Sequence, residues 1–305
     1  MGNRRPDCLR SLSTENPMTD KSLLKLAIPK GRMFDGLRSL FAEAGCPFTD
    51  PGRNYRIQTR LDGISTKLLK PQSIVEMVNA GRRDLGFAGA DWVQELNADL
   101  VELLDTGLDP VRIVAAAPET LLLNGELPEK PLIVASEYAR ITQSWMEEQG
   151  IDGRFVRSWG ATEVLPPEDA DCIVDNTATG STLVANRLQI VDTLMTSSTR
   201  LYANPRTLED PAARDRIEAL VMVLQSVLDA RRRVMVELNV TQSKLETVLS
   251  ILPAMRKPTL SQLQGDAGSA VRAAVPKSGL ATLIPSLRRA GATDIVVSRI
   301  DQIVA

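Results

Sequence analysis

The run from Asp175 to Leu183 (Asp-Asn-Thr-Ala-Thr-Gly-Ser-Thr-Leu) concentrates the anion-binding chemistry of this 305-residue chain. It follows an apolar run, Cys172–Val174, and leads into a helical start at Leu183–Asn186. A strand-to-helix turn of this kind points backbone N–H groups outward at the positive end of a helix. Gly180 lets the backbone come close to an anion, and the hydroxyls of Thr179, Ser181 and Thr182 add donors. The set reads as a phosphate cradle, although the same residue types also cap ordinary helices. It is not a Walker loop, because the spacing G-x-x-x-x-G-K-[ST] is missing. Asp175, just ahead of the cradle, suits ribose hydroxyls or a metal-bound sugar. Further upstream, Lys30, Gly31 and Arg32 form a cationic turn between an apolar run and a helical pattern, a second place where an anion is expected.

Composition limits what can happen at such a site. The sequence contains no histidine, which excludes Ser-His-Asp and Cys-His nucleophile systems and any metal site built on imidazole. Proton transfer is left to carboxylates, Lys, Tyr, solvent or the substrate. Cys8, Cys46 and Cys172 are far apart and odd in number, so neither a disulfide framework nor a cysteine metal site is expected. No apolar run approaches the ~20 residues of a membrane span, and the first 17 residues lack the apolar core of a signal peptide. The expectation is a cytoplasmic protein with reduced thiols. Residues 1–20 read as a disordered extension.

The cradle resembles the phosphoribosyl-pyrophosphate loop of the ATP phosphoribosyltransferases: an acidic residue, a few variable ones, Thr-Gly, one residue, then Thr-Leu. Other stretches resemble the same family in the same order. They are Leu26 to Arg32, Leu69 to Ile74, Asp84 to Asp91, Lys257-Pro258-Thr259 and Ala290-Gly291-Ala292. The resemblance spans about residues 23–305 and corresponds to the long form of that family, which carries a C-terminal histidine-binding domain.

Several expectations follow from the resemblance. The reaction is the transfer of the phosphoribosyl group to N1 of ATP with release of pyrophosphate, the first step of histidine biosynthesis, with Mg²⁺ as cofactor. Thr179, Gly180, Ser181 and Thr182 would hold the 5′-phosphate. Asp175 and Glu163, the latter in a Gly-x-x-Glu turn, would meet the ribose hydroxyls. Lys30, Gly31 and Arg32 would meet the departing pyrophosphate, and Lys70 or Arg53 the ATP triphosphate. No metal site built from protein side chains is assigned, the Mg²⁺ being carried by the substrate. Histidine would bind at Asn239 and Thr259 as an allosteric inhibitor of a homo-oligomer, a dimer or hexamer. Several positions depart from the family pattern, Ser73 among them, which stands where an Asp is common. Asn176 replaces an apolar residue, Lys70 replaces an Arg and so loses the bidentate fork, and Asn239 stands where an Asp is frequent, which predicts weakened inhibition by histidine.

The elements that must position these residues can be read from periodicity. Short apolar runs alternate with helical patterns up to about residue 230, which predicts a parallel or mixed sheet with helices on both faces. Two halves, roughly 22–110 and 111–200, predict two α/β lobes around a cleft, like those of periplasmic binding proteins. That architecture also fits a two-lobed small-molecule-binding module without catalysis. The tail from Arg231 reads β-α-β-β-α-β, a ferredoxin-like pattern. The expected organisation is therefore 1–20 extension, 21–230 two-lobed catalytic domain and 231–305 ferredoxin-like regulatory domain. The tail has 11 basic against 5 acidic residues. Because it lacks aromatic stacking residues, no nucleic-acid partner is expected, and no membrane partner either.

Overall fold

Residues 23–49, 55–57 and 59–304 are described by a computed structural model of the protein. The extension 1–20 and Arg53 lie outside the described residues. The apolar run after Leu23 forms β1 (Leu24–Pro29), and the amphipathic stretch after it forms α1 (Arg32–Glu43), whose Leu37, Leu40 and Phe41 are buried. Then come β2 (Ile64–Leu69), α2 (Pro71–Asn79), β3 (Leu85–Gly89) and α3 (Ala90–Glu95). The long strand β4 (Val101–Pro118) leads to β5 (Leu132–Ser136), α4 (Ala139–Glu148), β6 (Gly153–Arg157), β7 (Cys172–Thr177) and α5 (Ser181–Ala185). A second long strand, β8 (Leu188–Ala203), returns the chain to α6 (Pro211–Arg231).

These strands form one mixed sheet in the order β2-β1-β3-β8-β4-β7-β5-β6. The β1, β2 and β3 group is parallel and carries the first lobe; β5, β6 and β7 are parallel and carry the second. The antiparallel pair β4–β8 passes through both lobes, from Val101 opposite Ala203 to Pro118 opposite Leu188. The sequence division at residue 110 is corrected here. The run from Val111 is the second half of a strand that begins at Val101, and residues beyond Thr199 belong to the first lobe. Gly107, Asp109 and Pro110 are residue types depleted in strands. The ladder absorbs them by shifting register between Asp105 and Leu108 and again before Val111, with Gly107 and Asp109 at positive φ.

Each lobe has apolar cores on the faces of this sheet. Leu26, Ile28, Leu85 and Phe87 pack against α1 and against Ile217, Leu220, Leu224 and Val227 of α6. On the opposite face Ala27 and Ala88 meet Ile74, Val75 and Val78 of α2. In the second lobe Val134, Cys172 and Val174 pack on Ile141, Trp145 and Met146 of α4. Full burial of one such aliphatic side chain contributes about 1.5–3 kcal/mol. Cys46 and Cys172 are buried free thiols.

Past α6 the chain forms β9 (Arg233–Val240), α7 (Leu245–Ile251), β10 (Thr259–Gln262), β11 (Ser269–Pro276), α8 (Leu280–Arg289) and β12 (Thr293–Arg299). Their antiparallel sheet has the order β10-β11-β9-β12, the ferredoxin-like arrangement. Val234, Val236, Leu238 and Val240 alternate inward onto the helices, and the other face of the sheet stays open. No helix among the described residues is long and apolar enough to cross a membrane.

Candidate active site

Parallel strands end with their carboxyl ends on one side of a sheet, and ligand sites of open α/β sheets collect there. In the second lobe those ends are Ser136, Arg157 and Thr177. Residues at and just beyond these ends line a cleft of about 400 Å³, among them Glu137, Glu163, Asp175, Thr179 and Thr182. The first lobe sends Arg32 into the same cleft from the start of α1. Arg32 is exposed and has no ion pair among the described residues.

Gly180 sits at φ 82°, in the left-handed region, and its N–H donates to Thr177 Oγ1 at 2.9 Å. That bond fixes the turn and occupies the glycine donor. The hydroxyls of Thr179 and Ser181 hydrogen-bond each other at 3.0 Å, and the Ser181 N–H points at Thr179 Oγ1 at 3.4 Å, so an incoming anion would draw on these donors by displacing weak local bonds, together with the next N–H groups at the start of α5. The helix begins at Ser181, two residues earlier than the periodicity predicts. It is only five residues long, so the local N–H groups and hydroxyls matter more than a macrodipole.

Asp175 is half-buried, and its Oδ1 accepts from the Asn176 N–H at 2.7 Å. Burial pushes its carboxyl up to about 6 despite that hydrogen bond, and the nearby carboxylates of Glu163 and Glu137 push it in the same direction. Glu163 follows Gly160 and Ala161, both at positive φ, and Thr162, which is buried with a 2.7 Å hydroxyl contact to Ser158. This tight turn holds the acid on the wall of the cleft.

Lys30 and Lys70 come together elsewhere on the first lobe. Pro29 pairs with Leu69, so the two lysines leave adjacent parallel strands side by side, and the Lys30 N–H donates to Leu69 O at 2.9 Å. The Lys30 ammonium lies 5.6 Å from the centre of the exposed Tyr55 ring. Neither lysine lines the cleft with Arg32. Gly31 caps α1 at φ 83° and lets the chain turn between Lys30 and Arg32.

Asn239 and Thr259 share the open face of the C-terminal sheet but do not touch. Thr259 pairs with Arg272 and Arg272 with Glu237, which leaves Thr259 two strands and two residues away from Asn239, roughly 12 Å. Asn239 instead donates to Asp294 Oδ2 at 3.0 Å.

Residue types alone missed Glu137 and Tyr138, and left Asp91 between a capping role and a ligand contact. Glu137 and Tyr138 follow the apolar run Leu132–Ser136, and the rule that ligands gather at carboxyl ends of parallel strands marks that position. A second cavity of about 110 Å³ adjoins the cleft at the hinge, lined by Arg32, Asp91, Tyr138, Asn176 and Ser197 among others. Asp91 is 5% exposed and accepts from Tyr138 Oη at 2.8 Å and Ser197 Oγ at 2.6 Å. Behind it, buried Glu95 accepts from the Ile141 N–H at the start of α4 at 3.1 Å. The lobes are therefore joined by polar contacts of α3 as well as by the two long strands.

Comparison with known proteins gives a consistent set of relatives. Residues 70–226 match the ATP phosphoribosyltransferase family (HisG), and residues 230–302 match the HisG C-terminal domain. The chain is 38% identical over 287 residues to an ATP phosphoribosyltransferase of Chlorobium luteolum, covering 92% of this chain and 98% of that one. It is 36% identical over 278 residues to one from Pelotomaculum thermopropionicum, covering 90% and 96%. Among solved structures, the ATP phosphoribosyl transferase (HisG:HisZ) complex of Thermotoga maritima includes a chain similar to this one. That similarity has a TM-score of 0.60 and 27% identity, covering 68% of this chain and 99% of that chain.

Proposed function

The chain belongs to the ATP phosphoribosyltransferase family, and on that premise we propose that the interlobe cleft holds phosphoribosyl pyrophosphate between Asp175 and Thr179–Thr182 on one side and Arg32 on the other. The reaction joins N1 of the adenine of ATP to C1 of the ribose, releases pyrophosphate, and is the first step of histidine biosynthesis. The observation that carries the site assignment is the convergence, across one cleft, of an unpaired guanidinium from the first lobe and a carboxylate with a hydroxyl-rich turn from the second.

Thr179, Ser181 and Thr182 donate to the 5′-phosphate, while Gly180 keeps the turn in shape. Ionised Asp175 accepts from the ribose hydroxyls, with Glu163 beside it. Arg32 faces the pyrophosphate, where a delocalised, permanently charged fork matches the negative charge that grows as the C1–O bond breaks. Lys30 and Lys70, with Gly31 between Lys30 and Arg32, receive the triphosphate of ATP at the mouth of the first lobe. Adenine N1 attacks with its own lone pair, so no imidazole base is needed. A cavity within reach of both lobes sets C1 and N1 in line by orientation.

The metal is proposed to be Mg²⁺. In this reading the cation arrives on the pyrophosphate of the substrate. When bound there it neutralises the leaving group, and the cleft presents to it only hard oxygen ligands.

Histidine inhibition is proposed to persist. The neutral Asn239 has a carboxylate at its side, Asp294, which accepts from Asn239 Nδ2 and from Thr293 Oγ1, each at 3.0 Å. The hydrogen bond from Asn239, then that from Thr293, holds the Asp294 carboxyl below its ordinary range, ready to meet an ammonium or imidazolium. Thr259 lies too far along the sheet to share one subsite with Asn239 within a single chain. Self-assembly is supported by Leu260, Val296 and Val297, which are exposed on the same sheet.

The test is direct. Full-length protein with ATP, phosphoribosyl pyrophosphate and Mg²⁺ is expected to give the ultraviolet absorbance rise of phosphoribosyl-ATP. Folded protein that gives no product overturns the reading.

A further inference from the structure

Asn176 lines both cavities, the 400 Å³ cleft and the 110 Å³ hinge cavity behind it. Its neighbours form a directional chain of hydrogen bonds. Ser197, on the strand shared by both lobes, donates its hydroxyl to Asp91 Oδ1 at 2.6 Å and accepts from the Asp91 N–H at 3.1 Å. Asp91, from the first lobe, accepts on its other oxygen the proton of Tyr138 Oη at 2.8 Å. Tyr138 belongs to the second lobe and is 1% exposed. Burial, with the Asp91 carboxylate next in weight, holds its phenol far above the ordinary range, so it stays protonated. With that proton directed at Asp91, the Tyr138 oxygen can only accept from Asn176, and Asn176 Nδ2 lies 3.2 Å away. The same Nδ2 lies 3.3 Å from Asp175 Oδ1. Both neighbours are acceptors, which fixes the amide with its nitrogen inward.

We propose that Asn176 is a positioning residue that ties the orientation of Asp175 to the closed arrangement of the two lobes through Tyr138 and Asp91. The inference rests on the assignment of Asp175 to the ribose hydroxyls. Separation of the lobes breaks the Tyr138–Asp91 bond, frees the Tyr138 hydroxyl to turn its proton toward Asn176, and releases the amide from Asp175. Closure restores the chain and presents the carboxylate in one orientation. An apolar side chain at 176 leaves Asp175 without this clasp while keeping the backbone N–H bond.

Steady-state kinetics of the full-length protein, varying one substrate at a time, test the tie. Asn176→Leu is expected to raise KM for phosphoribosyl pyrophosphate about tenfold, the scale of one hydrogen bond to a charged group, and to leave KM for ATP within about twofold. Tyr138→Phe removes the hydroxyl alone and is expected to raise the same KM. The double variant should be no worse than the larger single effect, because both substitutions cut one chain. Wild-type KM for phosphoribosyl pyrophosphate in Asn176→Leu overturns the proposal, as do additive effects or equal losses for both substrates. Should Tyr138→Phe fail to fold, Asn176→Leu decides, since its side chain stands at the cleft surface. Asp175→Asn separates the two levels. If it leaves that KM unchanged, the ribose assignment falls and the tie with it. If it raises that KM while Asn176→Leu does not, the tie alone falls.

Discussion

Asp175 must be ionised to accept from ribose hydroxyls, yet burial and two neighbouring acids push its carboxyl up to about 6. Activity measured as kcat/KM for phosphoribosyl pyrophosphate is therefore expected to fall as pH drops through about 6. Glu137→Gln removes one repelling charge and should move that acid limb to lower pH; an unmoved limb refutes the electrostatic account. Stability runs the other way. The folded-state value is raised above the ordinary carboxylate value of 3.8, so the group favours folding below that value and loses this contribution as pH rises through about 6. Asp175→Asn is expected to stabilise the protein by about 1–2 kcal/mol at pH 7.5, discounted for partial exposure, and not at about pH 3.5. Chemical denaturation at the two pH values checks this. Asp175, Thr179 and Arg32 stood out in the sequence because their types and their places at turns after apolar runs suit anion and ribose chemistry, and all three line one cleft. Glu137 and Tyr138 were not, because they gain meaning only when β5 lies beside β7 and α3 meets α4.

Among the elements, the loop between β7 and α5 depends on one backbone conformation. A Cβ on Gly180 meets nothing within 4 Å, so a substitution there acts through φ alone. Gly180→Ala is expected to cost about 1 kcal/mol of local strain. The loop can relieve it by rotating the Thr179–Gly180 peptide, which disturbs the donors around the 5′-phosphate. Calorimetric titration should show phosphoribosyl pyrophosphate binding weakened about fivefold or more, with the melting temperature lowered by a few degrees at most. Binding equal to wild type removes the loop from the phosphate site. Helices α1, α2 and α4 were readable from apolar spacing and terminal glycines such as Gly45 and Gly150. Strand β4 was not. Gly107, Asp109 and Pro110 carry every local sign of a turn, and only pairing with β8 along both halves overrides them.

At the scale of the whole molecule, the C-terminal sheet is joined to the two lobes through α6, which is built into the first lobe core before the chain enters β9. If histidine binds the open face of that sheet as proposed, α6 is the covalent route by which it reaches the lobes. Asp294→Asn keeps the hydrogen bonds' size and shape but removes the charge. It is expected to raise the histidine concentration for half-inhibition about tenfold or more and leave turnover without histidine unchanged. Inhibition as potent as in the parent chain excludes Asp294 from the ligand. The C-terminal βαββαβ order was plain from the sequence. The place of Asp294 beside Asn239 was not, because the two are 55 residues apart and meet only across a strand pair.

The two long strands that pass between the lobes set the mechanics of the cleft. Domains joined by loops swing on a pivot and have no preferred angle. Here β4 and β8 stay paired with each other across the junction, with register shifts spread along the ladder from Glu102 to Ala116. Such a joint behaves as a leaf spring: it bends by a limited arc and stores a restoring force toward one rest angle. Opening and closing of the cleft then bend one continuous strand pair instead of turning a loose linker.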